Sequence, residues 1–450
     1  MDYNNNNIII ARATPIGKSA LAVIRVTGQK LEGLIFSIFN CNSFIPNFMQ
    51  LKKVKIKNTN IVVDSCMVVF YKSPKSFTGE DMLEISCHGN DRIVNKIIEQ
   101  FLNKSVRIAY PGEFSFRAFK NGKIDLMQAE SIASKINQNS DQYGVALQNL
   151  EKGATSKKIN QLRKSILTIQ SVIEHELDFS EEEISHMSIV DVIKKFKEII
   201  LDIENILNWS MSLQKIEQGY KVVLLGTPNA GKSTLFNKII GTDKAIVTEI
   251  KGTTRDVNEA NIHISGVPFS LFDTAGYRNT DDKIESLGIQ KTISMSQNAD
   301  FILVLDDNDP IAQHKILIDE NPFLKNKQTI YIKTKCDNGV NNDKNKVIET
   351  SCNKNLGLDS LLTVLLTITN LDLDKNDASN IALCNIRQIN LLKQIKLVFE
   401  DAMNSLENNI EMDIVASQLK GATDMFDELL GKMTSNEILN NIFKGFCVGK

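Results

Sequence analysis

Cysteine is sparse and unpatterned in this sequence, and this excludes two ways of stabilising a fold. There are 7 Cys among 450 residues, an odd number, and no two of them form a CxxC pair. Neither a disulfide framework nor a zinc ribbon is therefore expected. A reducing cytoplasm suits this pattern best.

Long hydrophobic runs are also missing. No stretch approaches the roughly 18 uninterrupted apolar residues of a membrane span, and the clusters near Val222 and Phe301 are only strand-sized. The first residues lack the basic and apolar regions of a signal peptide and the Arg and Ser enrichment of an organelle presequence. We expect a cytoplasmic protein that does not enter a membrane.

What is present is an ordinary globular composition. Apolar residues make up 42% and charged residues 24%, which excludes disordered, collagen-like and coiled-coil chains, and the length suits about three domains. The net charge is −2, yet residues 1–120 hold 16 Lys or Arg against 9 Asp or Glu. This basic segment suits an anionic partner such as nucleic acid, although such a surplus is also common on ordinary surfaces.

The spacing of apolar residues divides the chain into four segments of mixed α/β and α+β character. Short apolar runs broken by turn residues predict strands at 8–10, 22–26, 66–71 and 82–85, and hence a small α+β domain over 1–120. Helical spacing follows over 121–216, with Leu162, Ile166, Ile169, Ile173 and Leu177 on one face.

Strands alternate with helices from 217 to 370, which is typical of a parallel α/β sheet. The predicted strands are 221–225, 269–272, 301–305, 329–332 and 347–350. Helical spacing returns over 371–450, where Thr434 and Glu437 form a capping box for the last helix. The α/β domain is therefore expected to be inserted into a discontinuous helical one.

A phosphate-binding loop lies between the first of these strands and a helix. Residues 226–233 read GTPNAGKS and match GxxxxGK[ST]. Glycines let backbone amides face phosphates, Lys232 reaches the β and γ groups, and the Ser233 hydroxyl can bind Mg²⁺. The loop and helix start supply the expected contacts to GTP from Asn229, Ala230, Gly231, Lys232, Ser233 and Thr234.

Downstream motifs supply the remaining nucleotide contacts. Asp273, Thr274, Ala275 and Gly276 end a strand, where a carboxylate can hold the Mg²⁺ shell and an amide can sense the γ-phosphate. Thr253 and Thr254 are of the kind that a switch loop uses to complete the shell.

Base selection is expected from the sequence TKCD at 334–337. An aspartate there accepts both the N1 and N2 hydrogens of guanine, a pair of donors that adenine lacks. Asp337 therefore favours GTP over ATP. Thr334 and Lys335 of the same motif, and Ser351 further along the chain, are further expected contacts to GTP.

Two hydrolytic groups of Ras-type enzymes are missing. Tyr277 stands where a water-orienting glutamine is found, and no arginine finger is apparent in the sequence. Glu285 is a candidate to position water, with a solvated glutamate at a helix start as the alternative.

The whole chain resembles the MnmE (TrmE) family of tRNA modification GTPases. The resemblance rests on these GTPase motifs together with residues 13–15, 24–28, 76–81, 111–114, 117–119 and 125–130, and on the ending FCVGK at 446–450. It implies an N-terminal dimerisation and tetrahydrofolate-binding domain over 1–120. It also implies a Ras-like GTPase domain over 217–370 inserted between helical parts 121–216 and 371–450.

The resemblance also implies metal sites and catalytic residues. K⁺ in place of an arginine finger would be bound by Asn229, Thr248, Ile250 and Thr253. Mg²⁺ would be bound by Ser233 and Thr254, with Glu285 and Lys232 as the catalytic residues.

A folate site follows from the same resemblance. Arg25, Glu84, Lys123 and Lys450 match positions that contact a 5-formyl or methylene tetrahydrofolate derivative. Cys447 beside the last of these is either a reactive thiol or a small buried residue.

The implied function is modification of carbon five of the wobble uridine of tRNA. The implied partners are a second copy of the chain and an FAD- and NADH-using protein of the MnmG (GidA) type, in a heterotetramer. Two residues depart from the family pattern. Thr334 stands where asparagine is usual, and Asn353 stands where lysine or arginine is usual. These two departures put nucleotide affinity in doubt. The alternatives are a GTPase switch in ribosome assembly or membrane recruitment and, less favoured, an ATP-driven enzyme.

Overall fold

The computed structural model divides the chain into two compact units. It describes residues 3, 7–56, 59–102, 104, 106–136, 138–178, 189–242, 245–247, 259–273, 294–337, 347–369, 381–408, 412–433 and 435–449. One unit comprises 1–137, 147–207 and 383–450, and the other comprises 138–146 and 208–382. The predicted four-segment division remains a prediction. Among the described helices, none has the length and hydropathy needed to cross a bilayer.

Helices and strands occur in both units. The helices are α1 Glu32–Phe39, α2 Asp91–Leu102, α3 Glu113–Lys120, α4 Leu126–Ile136, α5 Asp141–Glu151, α6 Ala154–Asp178, α7 Ile189–Gln218, α8 Lys232–Ile240, α9 Pro310–Glu320, α10 Leu358–Ile368, α11 Ile386–Glu407, α12 Met412–Leu429 and α13 Asn436–Lys444. The strands are β1 Ile9–Arg12, β2 Ser19–Gly28, β3 Met49–Lys55, β4 Val62–Tyr71, β5 Asp81–Gly89, β6 Arg107–Ile108, β7 Tyr220–Gly226, β8 Ala245–Val247, β9 Glu259–Ile264, β10 Val267–Asp273, β11 Phe301–Asp306, β12 Gln328–Lys333 and β13 Val347–Glu349.

The first unit contains a sheet with the strand order β3-β4-β5-β2-β1-β6 in the described residues. The apolar positions of the strands alternate, so one face buries Ile24, Val68 and Ile85, and Ile97 of α2 packs into the same core. The four predicted strands are confirmed, but β1 begins one residue later than predicted and the other three are longer. Strand β3 was missed because only Val54 is buried along it.

The helices of the first unit pack through the apolar stripe predicted from spacing. Leu162, Ile166 and Ile169 on α6 are buried, and α6 packs against α12. The rings of Phe196 on α7 and Phe399 on α11 lie 5.5 Å apart. Residues from before and after the second unit along the chain thus share one core.

The last helix begins one residue later than its predicted cap implies. Ser435 is the N-cap of α13, and its side chain accepts a hydrogen bond from Ile438 N at 3.3 Å. The assignment of the cap to Thr434, which lies outside the described residues, is therefore wrong. The helix starts at Asn436, so the hydroxyl one residue before it is the one in reach.

The second unit contains the sheet order β13-β12-β11-β7-β10-β9-β8 in the described residues. Neighbouring strands in the run β13-β12-β11-β7-β10 are parallel, as predicted. The central strands β7 and β11 bury Val223, Ile302 and Val304. Strands β9 and β8, which were not predicted, pair antiparallel at the β8 edge of the sheet. Because β7 is central, its carboxyl end opens between two parallel neighbours.

Candidate nucleotide-binding site

The loop after β7 has the backbone conformation that a phosphate cradle requires. Gly226 has φ 151°, Asn229 φ 62° and Gly231 φ 84°. A Cβ atom on Gly226 would lie 2.1 Å from the carbonyl oxygen of Leu305 on β11, so only glycine fits there. Ala230 N donates to Thr227 O at 3.2 Å and closes the turn. The predicted loop and its flanking strand and helix are therefore found in place.

Lys232 is held at the mouth of this loop. Its Nζ donates to the carbonyl oxygens of Gly226 at 3.0 Å and Thr227 at 2.7 Å. The residue is only 7% exposed. A buried ammonium ion needs acceptors, and here the loop's own carbonyls supply them. The contacts fix the lysine beside the helix that follows.

The N-terminus of α8 follows the loop directly. The cap position is Gly231, and no side chain of the described residues caps the helix there. The first amides of a helix have no partner within it, and the helix dipole adds positive potential at that end. Ser233 and Thr234 in the first turn are exposed. Lys232, the amides and the hydroxyl of Ser233 together form a site suited to a phosphate chain with a hard cation.

The strand next to β7 ends on a carboxylate. Asp273 is the last residue of β10, lies opposite Leu224 of β7 and is 4% exposed. It is therefore one strand away from the strand that leads into the loop, and its role in a Mg²⁺ shell stays a prediction. The other predicted contacts to the γ-phosphate, K⁺ and water lie outside the described residues: Thr248, Ile250, Thr253, Thr254, Thr274, Ala275, Gly276 and Glu285.

The candidate guanine loop is ordered by hydrogen bonds to the loop after β13. Ser351 donates from Oγ to Asp337 Oδ1 at 2.5 Å, and Lys354 Nζ donates to Asp337 O at 2.6 Å. Lys335, at φ 59°, pairs with Asp307 at 2.8 Å. Ser351 thus orients the carboxylate expected to accept guanine hydrogens.

Thr334 at the start of this loop is buried and lies beside the phosphate loop. Its backbone N donates to Asp306 O at 2.9 Å, but its Oγ1 has no hydrogen-bond partner among the described residues. Its Cβ lies 3.9 Å from where a Cβ on Gly231 would be. Asn353, the second departure from the family pattern, is exposed.

Two residues of this region were not found from the sequence. Thr227 Oγ1 donates to Asp306 Oδ2 at 3.1 Å and joins the phosphate loop to the end of β11. The sequence offered one signal for Asp306, namely a carboxylate at the end of a strand parallel to β7. The partner is 79 residues away along the chain, so no local pattern reveals the contact.

A second cavity lies in the first unit, where two predicted folate contacts meet. Arg25 and Glu84 are opposite each other on β2 and β5, and Arg25 Nε lies 2.7 Å from Glu84 Oε1. They line a cavity of about 330 Å³ together with Tyr71 and Phe77. Burial, followed by the charge of Glu84, raises the pKa of Tyr71 above its ordinary value. The site combines a carboxylate, a guanidinium group and aromatic walls.

The C-terminal tail contacts Arg25, one of the residues that line this cavity. Gly449 O accepts a hydrogen bond from Arg25 Nη1 at 3.3 Å, and Gly449 packs closely on the backbone of Arg12 and Ala13. Cys447 is exposed, so the alternative of a small buried residue is wrong. Lys450 lies outside the described residues.

Lys123 is not among the residues that line the cavity. Its Nζ donates to Pro74 O at 3.1 Å. The structure therefore brings together Arg25, Glu84 and the tail but not this third predicted contact.

The parallel sheet, phosphate loop and candidate guanine loop define the second unit as a P-loop protein of the GTPase class. A family model described as "MnmE helical domain" matches residues 126–447, and one described as "GTP-binding protein TrmE N-terminus" matches 8–123. The chain belongs to the MnmE family of tRNA modification GTPases, and the resemblance drawn from the sequence is confirmed.

Relatives match the chain from end to end. The tRNA modification GTPase MnmE of Aquifex aeolicus is 36% identical, covering 98% of this chain and 99% of its own. The protein of the same name from Clostridioides difficile is 35% identical, covering 99% of each chain. The MnmE of Staphylococcus haemolyticus is 32% identical over the full length of both.

Two solved structures match about a third of the chain. The G domain of the Thermotoga maritima FeoB iron transporter is 25% identical and covers 34% of this chain and 99% of its own, with a TM-score of 0.24. Aquifex aeolicus Era bound to GDP·AlF4⁻ is 26% identical and covers 33% and 56%, with a TM-score of 0.25.

Proposed function

We propose that this chain is a K⁺-dependent GTPase that takes part in modifying carbon five of the wobble uridine of tRNA. The observation that carries the proposal is the phosphate loop, whose carbonyls bind Lys232 Nζ and which leads directly into the N-terminus of α8. Membership of the MnmE family supplies the link to tRNA modification. GTP hydrolysis drives movement of the GTPase domains, not the carbon transfer itself.

The residues of the phosphate loop bind and polarise the nucleotide. The amides of α8 and Lys232 bind the β and γ phosphates, where their charge opposes the charge that develops on the transferred group. Ser233 fits a Mg²⁺ ligand, because its hydroxyl is exposed on the first turn of the helix; Thr254 is the proposed second ligand. Glu285 orients the attacking water.

Base selection rests on Asp337. Its carboxylate is held by Ser351 Oγ at 2.5 Å, which leaves acceptor capacity for the two donors of guanine. The remaining proposed GTP contacts are Asn229, Ala230, Gly231, Thr234, Thr248, Thr253, Asp273, Thr274, Ala275, Gly276, Thr334 and Lys335.

Asn229 is the proposed protein side-chain ligand of K⁺. Its positive φ places it at the turn of the loop, and it is exposed, which suits an oxygen ligand to a cation beside the phosphates. Thr248, Ile250 and Thr253 complete the proposed set. K⁺ held by these residues would supply positive charge in place of an arginine finger.

The cavity at Arg25 and Glu84 is the proposed site for a tetrahydrofolate derivative of the 5-formyl or methylene type. Glu84 can accept from the amide and amino edge of a pterin, and Tyr71 and Phe77 offer faces for its rings. A volume of about 330 Å³ falls at the lower end of small-molecule sites. The folate would supply the one-carbon unit, with Lys123 and Lys450 near its charged tail and Cys447 as a candidate thiol.

The proposed partners are a second copy of the chain, tRNA and an FAD- and NADH-using protein of the MnmG type, in the cytoplasm and without a membrane. The first two segments, 1–120 and 121–216, and the last, 371–450, then form the folate, dimerisation and helical parts around the GTPase segment 217–370. A general GTPase switch in ribosome assembly would leave the Arg25–Glu84 cavity and its contact with the tail without a use.

Nucleotide hydrolysis in two salts tests this proposal. We expect purified chain to hydrolyse GTP at least about 10-fold faster in KCl than in NaCl, since the smaller ion fits the same ligands poorly, and to leave ATP nearly untouched. Lys232→Ala is the inactive control. Equal rates in both salts would refute the K⁺ assignment, and equal rates for GTP and ATP would refute the role of Asp337.

A further inference from the structure

The end of β11 contacts the start of the phosphate loop, and the loop sequence alone does not predict this contact. Leu305 pairs with Gly226, and the absence of a side chain on Gly226 allows this contact. The two residues that follow this pair along the chain therefore lie next to each other. These are Asp306, which ends β11, and Thr227, which opens the phosphate loop.

Asp306 connects three segments at this point. Its Oδ2 accepts from Thr227 Oγ1 at 3.1 Å. Its Oδ1 accepts from Asn308 N at 2.8 Å and Asp309 N at 3.0 Å. Its backbone O accepts from Thr334 N at 2.9 Å. The phosphate loop, the start of α9 and the guanine loop are thus all bonded to one residue.

Thr227 passes this constraint to Lys232. The carbonyl of Thr227 accepts from Lys232 Nζ at 2.7 Å and from Ala230 N at 3.2 Å, and both bonds depend on how the Thr227 peptide is oriented. The Thr227 hydroxyl bonded to Asp306 fixes that orientation from the other side. A negatively charged acceptor makes this a stronger hydrogen bond than a neutral one.

Thr334 does not make an equivalent connection. Its Oγ1 is buried and has no hydrogen-bond partner in the described part of the chain, and its Cβ and Cγ2 face Gly231. Among the described residues, the hydrogen-bonded link between the phosphate loop and the guanine loop therefore passes through Asp306.

We propose that Asp306 is a positioning residue that holds the phosphate loop in its nucleotide-binding conformation through Thr227 and couples it to the guanine loop. It acts on the nucleotide only through these neighbours. The inference rests on the proposed nucleotide site and extends it to a residue outside the GTPase motifs.

Three variants isolate this contact. Thr227→Val keeps the shape of the side chain and removes the donor, Asp306→Ala removes the acceptor, and Asp306→Asn keeps an acceptor oxygen. The readouts are the Kd and dissociation rate of GDP carrying a fluorescent group on its ribose, and kcat and KM for GTP. We expect Thr227→Val and Asp306→Ala each to weaken GDP binding roughly 10-fold, mainly through faster dissociation, and to raise KM more than they lower kcat.

The double variant and the conservative variant distinguish positioning from general damage. Both single variants remove the Thr227–Asp306 bond, and Asp306→Ala also removes the bonds to Asn308 N and Asp309 N. The double variant should therefore bind GDP about as weakly as Asp306→Ala alone. Asp306→Asn should recover most of the affinity.

Asp300 offers a matched control at the other end of the same strand pair. Its Oδ2 accepts from Lys221 N at 2.8 Å, at the start of β7 and away from both nucleotide loops. Asp300→Ala should lower the melting temperature of the protein yet leave GDP affinity unchanged.

The proposal is overturned if folded Thr227→Val binds GDP as the unaltered chain does, if the two single effects add in full, or if Asp300→Ala weakens binding as much as Asp306→Ala. Should Asp306→Ala not fold, Thr227→Val and Asp306→Asn decide the matter. An unaltered chain that binds no guanine nucleotide would instead refute the proposed function itself.

Discussion

Two buried threonines at the edge of the nucleotide site differ in whether their hydroxyl groups are hydrogen-bonded. Thr350 donates from Oγ1 to Lys333 O at 3.3 Å. Thr334 is equally enclosed, at 4% exposure, but its Oγ1 has no partner among the described residues. A hydroxyl removed from water without a partner costs free energy, whereas a bonded one contributes about 1 kcal/mol.

Substitution of each threonine by valine tests this difference. We expect Thr334→Val to leave the free energy of unfolding unchanged or to raise it, because a methyl group replaces an unsatisfied hydroxyl of the same size. Thr350→Val should lower it by about 1 kcal/mol. Urea unfolding measures both, and a Thr334→Val protein as destabilised as Thr350→Val would contradict the account.

The site residues that could be predicted from the sequence were those whose chemistry is local. Lys232 and Asp337 belong to short motifs whose residue types and spacing state their roles. Asp306 and Tyr71 could not be predicted, because each acts through a contact made by folding: with Thr227 across two strands, and with Glu84 across the β4–β5 pair. Such contacts depend on strand register, which the motifs do not encode.

At the scale of elements, the β4–β5 pair carries a carboxylate stabilised by its folded neighbours. Asp64 accepts from His88 N at 2.8 Å and from Ser65 N at 2.8 Å, and His88 Nδ1 lies 2.8 Å away. Burial alone would raise the pKa of Asp64, but these hydrogen bonds and the His88 ring lower it below its ordinary value. The pair therefore favours the ionised form.

The pKa of Asp64 is lower in the folded chain than the value of about 3.9 in the unfolded chain. Its ionised form therefore stabilises the folded chain above about pH 3.9, and this contribution is lost as the pH falls through the folded-state pKa. We expect Asp64→Asn to be less stable than the unaltered chain at pH 7 and the difference to shrink steadily below about pH 4. Melting temperatures of both proteins between pH 7 and pH 2.5 measure this. A difference that stays constant over that range would contradict the assignment.

The elements missed from the sequence share a physical cause. Strands 221–225 and 301–305 were predicted because central parallel strands are buried on both faces and read as continuous apolar runs. Strands β3 and β9 lie at or near sheet edges and bury few side chains, with Val54 as the one buried residue of β3. Their patterns are too polar to stand out from loops.

On the scale of the whole molecule, the chain leaves its first unit after residue 207 and returns at 383. Contacts between residues far apart in the sequence hold the first unit together, such as Arg163 Nη2 with Asp427 Oδ2 at 2.6 Å. Glu130 likewise binds Arg387 through two oxygens at 2.9 and 3.0 Å. Helical spacing on both sides of the α/β segment gave the basis for expecting a discontinuous helical part, whereas the pairing of particular residues needed the structure.

The central claim is that nucleotide hydrolysis at Lys232 serves tRNA modification. The most direct measurement is mass spectrometry of nucleosides from the tRNA of cells that lack this gene and carry either the unaltered chain or Lys232→Ala. The account predicts wobble uridine without its carbon-five substituent in cells with no copy or with Lys232→Ala, and restored modification with the unaltered chain. Fully modified wobble uridine in cells that lack the gene would contradict it.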